Sequence, residues 1–209
     1  MVTPKICRGE KRTVKLSDGT IIKLNSESKL IFPQNFGEDN RVVELEGEAF
    51  FDVVKDSLRP FIIKSGDIVT TVIGTSFNIS AYKIDKKIAV SVVTGLVEVK
   101  SDKQAFELIP GEKVEYDTFF GDASKANFDL AEIAWIEGIL IFNGDGMKEI
   151  ISKLEWLYDV SISVEDERIF YIRNFKVEYQ NKSLVIILEN LSFAGSFKYS
   201  IDGKKVRFF

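Results

Sequence analysis

The stretch RVVELEGEAFFDV, residues 41–53, alternates apolar and polar side chains with a period of two. Val43 and Leu45 alternate with glutamates before Gly47, and the alternation resumes after it. This pattern predicts two half-buried strands, and glycine takes a positive φ at little cost. We therefore expect a strand, a tight turn at Gly47 and Glu48, and a second strand. The carboxylate of Glu48 would hold the turn by accepting bonds from backbone N–H groups.

Short apolar segments separated by Gly or Pro corners continue through residues 1–125. Asp18 and Gly19 lie between two of these segments, which is a strong signal for a hairpin. Corner glycines recur about every 20 residues, as in a solenoid-like stack of strands, at Gly47, Gly74, Gly95 and Gly111. A twisted β-sandwich produces similar corners. Both architectures stay open, and either makes the first domain all-β.

The pattern changes after the polar stretch between Asp117 and Leu130. Gly, Asp, Ser, Lys and Asn dominate this stretch, and such a composition is typical of a connecting segment. We place an all-β domain at residues 1–125, a linker at 126–134 and a second domain at 135–209. The whole chain is therefore expected to be mainly β, with a small α+β second domain.

Two helices are predicted in the second domain from apolar residues spaced three and four apart. The first runs from Met147 to Tyr158 and the second from Leu184 to Leu191. The expected helix caps are Asp145 or Gly146 for the first helix and Asn181 for the second. Flanking apolar segments, with a hairpin at Asp202-Gly203, complete the order β-α-β-β-α-β-β. This order predicts helices on one face of a small sheet.

Composition narrows the functional classes. The net charge of -4 and the isoelectric point near 5.2 provide no electrostatic basis for binding nucleic acid. One cysteine, Cys7, permits no intrachain disulfide, and the absence of histidine excludes a Ser-His triad and an ordinary zinc site. No apolar run approaches the ~18 residues of a membrane span. We expect neither cofactor, metal nor catalytic residue.

The carboxylates of the chain are the remaining candidates for chemistry. Paired carboxylates can hydrolyse glycosides, but Glu44 and Glu46 lie on the strand face that points to solvent. The acidic residues of the polar stretch, which are Asp117, Asp122, Asp129 and Glu132, have spacings that fit no EF-hand loop. Residues 144–146, GDG, are interpreted as a helix cap because they lack a nucleotide-binding fingerprint. The sequence therefore favours a protein that is not an enzyme.

Residues 41–53 and six further fragments resemble, in family order, the FecR family of anti-sigma regulators. The fragments are LSDGT (16–20) with LNSES (24–28), RPFII (59–63), GTSFNISAY (74–82), VTGLVEV (93–99), LIPGE (108–112) and AWIEG (134–138). The second domain resembles the C-terminal domain of these proteins, which is related to the secretin and TonB N-terminal domain. Together the fragments cover most of the chain.

This resemblance implies a single-pass inner-membrane anti-sigma factor. In that family the periplasmic part receives a signal from the N-terminal signalling domain of an outer-membrane TonB-dependent receptor. A cytoplasmic segment binds a sigma factor of the extracytoplasmic-function (ECF) class. We expect this chain to be the periplasmic portion alone, without the sigma-binding segment or the membrane helix, and to bind no nucleic acid.

The terminal hairpin is the predicted docking site for the receptor domain. We expect the strand formed by Lys204, Lys205, Val206, Arg207 and Phe208 to be a bare sheet edge to which a partner adds a strand. A different function, a carbohydrate-binding β-module, follows from the all-β first domain by analogy of fold. It would need an exposed aromatic platform, for which Phe50 and Tyr82 are candidates.

Overall fold

In the computed structural model, which describes residues 1–209, Arg41–Asp52 form one uninterrupted strand, β4. Its odd-numbered residues from Arg41 to Phe51 are buried, whereas Glu44 and Glu46 are exposed. A pleated strand places successive side chains on opposite faces, so the predicted inward and outward faces are both confirmed. The inward row carries Val43, Leu45, Ala49 and Phe51 into the core.

The predicted tight turn at Gly47 and Glu48 is wrong, because β4 continues through both residues. Gly47 does have a positive φ of 88°. A Cβ atom at this position would lie 2.6 Å from the Oγ of Ser28 and 2.7 Å from its Cα. Glycine is therefore needed for a bend within the strand and for a close approach of Ser28.

The first of two compact units, Met1–Ile133, contains twelve strands in one sheet. They are β1 (Arg12–Lys15), β2 (Ile21–Leu24), β3 (Lys29–Ile31), β4 (Arg41–Asp52), β5 (Phe61–Ser65), β6 (Ile68–Val72), β7 (Ser76–Ala81), β8 (Lys87–Thr94), β9 (Val97–Lys100), β10 (Ala105–Leu108), β11 (Glu112–Asp117) and β12 (Ala123–Asn127). The turn between β1 and β2 is the predicted Asp18-Gly19 hairpin.

The sheet folds on itself at β4. The first half of β4 pairs with β3 and β5, and the second half pairs with β2 and β7. The main order is β10-β9-β6-β5-β4-β7-β8-β11-β12. Val99 from one half and Val114 from the other line the same interior space. Of the two architectures left open by the sequence, this is the sandwich, with one parallel strand pair, β4 with β5.

Strand β12 falls in the polar stretch where the sequence predicted a change of structure. Its five residues, ASKAN, are almost entirely exposed and have no apolar alternation. The strand exists because it pairs with β11 over its whole length. Pairing of this kind depends on tertiary context, so a short polar sequence does not by itself predict the strand.

Side chains connect the two terminal strands of this sheet, β10 and β12. The Nζ of Lys125 on β12 donates to the carbonyl oxygen of Glu107 on β10 at 3.1 Å. The backbone N–H of Ala123 donates to the Oε1 of Gln104, just before β10, at 2.9 Å. Lys125 also pairs with Glu112 at 2.6 Å. Backbone groups at both ends of the main strand order are thus bonded by side chains of the same unit.

The second unit, Ala134–Phe209, has the predicted order β-α-β-β-α-β-β. Its elements are β13 (Ile139–Asp145), α1 (Met147–Tyr158), β14 (Ser161–Val164), β15 (Phe175–Gln180), α2 (Leu184–Gly195), β16 (Tyr199–Asp202) and β17 (Lys205–Phe208). Gly146 occupies the N-cap position of α1, as predicted, whereas Ser183, rather than Asn181, precedes α2. None of the helices combines the length and the apolar character that a membrane crossing requires.

Two small sheets replace the single sheet expected in this unit. β13 pairs with β15, and a second sheet has the order β14-β17-β16. The expected bare edge at Lys204, Lys205, Val206, Arg207 and Phe208 is wrong, because β17 is the central strand. It pairs in parallel with β14 on one side and antiparallel with β16 on the other. Its partner β14 lies about forty residues earlier in the chain, so sequence proximity did not reveal the pairing.

Candidate functional site

A fully buried arginine lies at the start of β4. The Nη1 of Arg41 forms an ion pair with Asp18 at 2.8 Å, and both side chains are buried. The guanidinium also donates to the carbonyl oxygens of Val54 and Arg59 at 2.9 Å and of Ile73 at 3.3 Å. It lies over the ring of Phe61, 5.3 Å from its centroid.

This arrangement gives Arg41 a structural role. Removing a charge from water is costly unless it is paired and its hydrogen bonds are satisfied, and here one side chain meets both requirements. Through it, the β1–β2 hairpin, the segment after β4, the segment before β5 and the corner after β6 share one anchor. Sequence analysis missed this role, although the inward phase of Arg41 in the strand was visible.

Glu48 joins side chains rather than holding a turn. Its Oε2 accepts from the Nδ2 of Asn25 at 2.7 Å, and its Oε1 accepts from the Nδ2 of Asn78 at 2.9 Å. The backbone N–H of Glu48 donates to the hydroxyl of Ser28 at 2.8 Å. The carboxylate therefore links the segment after β2 to β7 across β4. This differs from the predicted bonds to turn amides, because no turn exists there.

The two aromatic candidates for a sugar platform are partly buried. The hydroxyl of Tyr82 donates to the carbonyl oxygen of Ser26 at 2.7 Å, and burial raises the pKa of this hydroxyl well above its ordinary value. Phe50 is half-buried on the outward face of β4. Tyr82 therefore already serves the packing of the segment that carries Ser26 and Ser28.

The acidic candidates are engaged separately. Glu46 forms an ion pair with Lys83 at 3.4 Å, and Asp52 accepts from the Oγ of Ser76 at 2.8 Å. Asp117 accepts from the N–H groups of Phe119 and Phe120, and these bonds lower the pKa of its carboxyl group, the one from Phe120 most. The structure contains no group of three or more His, Cys, Asp or Glu side chains placed to hold a metal ion.

The second unit presents a different kind of surface. Tyr171 and Phe193 are 75% and 90% exposed, and Val185 and Ile186 on α2 are also exposed. The buried residues of α2 are Ile187, Leu188 and Leu191. A helix that is apolar beyond its core-facing stripe is typical of one that packs against more than its own domain. We therefore place the candidate interaction surface in this unit.

The three-stranded sheet of this unit has two unlike edges. At the β14 edge, the backbone N–H of Ile162 donates to the Oε1 of Glu155 on α1 at 2.7 Å. At the β16 edge no further strand is paired. The edge that sequence analysis assigned to β17 thus belongs to its neighbour in the hairpin, β16.

Comparisons with known proteins agree over both units. Residues 3–98 match the family model described as FecR protein, and residues 139–208 match the model described as FecR, C-terminal. Two crystal structures of a candidate anti-sigma factor from Parabacteroides distasonis share 33% identity with this chain, with TM-scores of 0.79 and 0.78. Both alignments cover 100% of this chain, and they cover 99% and 98% of the other chains. No curated protein matches the chain.

Two family models in the expected order and 33% identity over the full length are sufficient evidence of common descent. The family acts in regulation. The resemblance noted in the sequence is confirmed, and the chain belongs to the FecR family of anti-sigma factors.

Proposed function

We propose that this chain is the periplasmic, signal-receiving part of an inner-membrane anti-sigma factor. It contacts the N-terminal signalling domain of an outer-membrane TonB-dependent receptor, and the signal passes to an ECF sigma factor through a cytoplasmic segment outside this chain. Binding between proteins, rather than catalysis, carries the signal. The observation that supports the proposal is the match of residues 3–98 to the FecR model, followed by the match of residues 139–208 to the FecR C-terminal model.

Differences between the two units support the proposal that the second unit contacts the receptor. In the first unit, Arg41 and Glu48 bond to groups of the same unit. The second unit exposes apolar side chains such as Phe193, and the β16 edge of its three-stranded sheet is unpaired. Exposed apolar surface and open edges are features through which soluble domains bind partners.

Calorimetry tests the first step of the proposal. The whole chain is titrated with the N-terminal signalling domain of each TonB-dependent receptor of the source organism. We expect saturable binding to one receptor domain and none to the others, because relay between two membranes requires a specific partner. Failure to bind any of them would contradict the proposal, and saturable binding of an oligosaccharide instead would favour the carbohydrate-binding module.

A transcription reporter tests the second step. The full-length anti-sigma factor is expressed with the receptor and with a promoter that depends on its sigma factor. Deleting residues 139–208 should uncouple transcription from the inducing ligand of the receptor. If induction persists without these residues, the signal does not enter through the second unit.

A further inference from the structure

The hydrogen-bond pattern of the terminal hairpin shows which backbone groups of β16 are free. Lys198 and Phe209 exchange both backbone bonds, at 2.8 and 2.9 Å. In an antiparallel pair, residues that exchange bonds alternate with residues that do not. Ser200 and Asp202 therefore face Arg207 and Lys205 on β17. The N–H and C=O groups of Tyr199 and Ile201 point away from β17, toward the side where no strand lies.

The opposite edge of the same sheet is not equivalent. Ser161 and Glu165 direct their N–H groups toward β17, so Ile162 and Val164 direct theirs outward. The outward N–H of Ile162 is taken by Glu155 of the same unit. Proteins commonly block strand edges with their own charged side chains. The β14 edge is thus partly capped, and the β16 edge is the one that offers an open ladder.

Side chains beside the open ladder are suited to an added strand. Tyr199 and Ile201 lie opposite the buried Phe208 and Val206, so they share the core-facing side of the sheet. Ile201 is nevertheless 39% exposed. Tyr199 packs against the core of the unit, which includes Ile187, Leu188 and Leu191 of α2. The apolar side of the sheet therefore ends without a cover.

We propose that β16 accepts an extended strand from the signalling domain of the receptor, which becomes the fourth strand of this sheet. The inference rests on the proposed function and names the surface through which it operates. Free N–H and C=O groups repeat every second residue along β16, and an extended chain has the complementary spacing. About four backbone bonds can form with Tyr199 and Ile201. Core-side residues of the added strand cover the exposed part of Ile201.

A pair of proline variants tests the edge. Ile201→Pro removes an outward N–H without removing a bond to β17, and edge strands tolerate proline there. Val164→Pro is the matched control, because it makes the same change on the opposite edge. With the receptor domain identified by calorimetry, we expect Ile201→Pro to weaken binding at least about tenfold and Val164→Pro to leave it unchanged. Thermal unfolding establishes that both variants are folded.

Two further measurements keep the test decisive if a proline variant does not fold. Ile201→Lys retains the backbone and places a charge where the added strand would pack, so it should also weaken binding. In the unmodified chain, the amides of Tyr199 and Ile201 should exchange hydrogen quickly when free and slowly in the complex. Unchanged exchange at both amides in a saturated complex would overturn the proposal.

The outcomes separate this inference from the proposed function. Equal affinity of the wild type and Ile201→Pro for the receptor domain places docking elsewhere and leaves the proposed function intact. Loss of binding in Val164→Pro alone assigns docking to β14. A homodimer that Ile201→Pro abolishes shows that the edge pairs with a second copy of this chain. A wild type that binds no receptor domain contradicts both proposals.

Discussion

The main strand order of the first unit and the three-stranded sheet of the second unit end in different ways. In the first unit, β10 and β12 are connected by Lys125 and Gln104, whose side chains bond backbone groups at the sheet ends. In the second unit, Glu155 caps one edge of the three-stranded sheet, but β16 is bare. An open edge is a liability that proteins usually block. Retaining one beside the exposed side chain of Ile201 suggests a use for it.

The same contrast appears in the polar groups of each unit. Arg41 and Glu48 are committed to neighbours within the first unit. On β16, by contrast, backbone groups at every second residue have no strand to bond. Arg41 and Glu48 therefore act within the first unit, whereas β16 of the second unit presents backbone groups to which a further strand could bond.

Arg41→Met should cost the most stability. The substitution leaves Asp18 without its ion-pair partner in a buried position and removes the donor to three carbonyl oxygens. Breaking a buried ion pair in this way costs about 3–5 kcal/mol. Arg59→Met is the control, because its pair with Asp56 is partly exposed, and exposed pairs contribute about 0–1 kcal/mol. Urea unfolding of both variants measures the difference, and equal losses would show that Arg41 is not an anchor.

Gly47→Ala should be the next most damaging change, with Gly111→Ala as its control. Both glycines have a φ near +88°, so alanine is strained at either position by about 1–2 kcal/mol. At Gly111 a Cβ meets nothing within 4 Å, whereas at Gly47 it overlaps the backbone of Ser28. We expect the free energy of unfolding to fall by about 1–3 kcal/mol more at Gly47. A smaller loss at Gly47 than at Gly111 would refute the close approach.

These two residues show where sequence analysis stops. The period-two alternation predicted the inward and outward faces of β4 correctly, because faces depend on local pleating alone. Glycine is favoured at a positive φ both in a tight turn and in a bent strand. The sequence therefore could not distinguish the two, and Gly47 was predicted to form a turn although it lies in a bent strand. Arg41 lay in the inward phase, but its partner Asp18 is 23 residues away. Only the folded sheet brings the two together.

The second unit shows the same limit for the candidate site. Local signals predicted both helices, the Asp202-Gly203 hairpin and the order of elements. They could not predict that β17 pairs in parallel with β14, because strand order in a sheet is set by long-range packing. The hairpin was therefore found, but its bare strand was taken to be β17 rather than β16.

Glu48→Gln should destabilise the first unit by about 1–3 kcal/mol. Glutamine provides one acceptor and one donor in place of the two acceptors that Asn25 and Asn78 use. One of these asparagine amides would then face another donor. Glu44→Gln removes the same charge at an exposed position of the same strand and should change stability by a few tenths of a kcal/mol at most. Thermal unfolding of both variants at the same pH compares the two losses of stability. Equal, small losses would show that Glu48 is only a surface charge.

Gln104→Ala should open one end of the first sheet at a smaller cost. The side chain accepts the backbone N–H of Ala123 at an exposed position, so its loss should cost about 0.5–1 kcal/mol. Gln104→Glu keeps an acceptor there and serves as the control. Amide exchange at Ala123 should become faster in Gln104→Ala only. Unchanged exchange would mean that this end of the sheet is as open as β16, which removes the contrast between the units.

We expect the smallest structural effect when the two units are expressed separately. Each has its own core, from Ile6 to Tyr116 in the first and from Phe142 to Phe208 in the second. We therefore expect residues 135–209 to fold alone and to unfold cooperatively, although a domain of this size has a small margin of stability. Amide chemical shifts of the fragment should match those of the same residues in the whole chain, including Tyr199 and Ile201. A fragment without cooperative unfolding would show that the open edge belongs to a unit that depends on the rest of the chain.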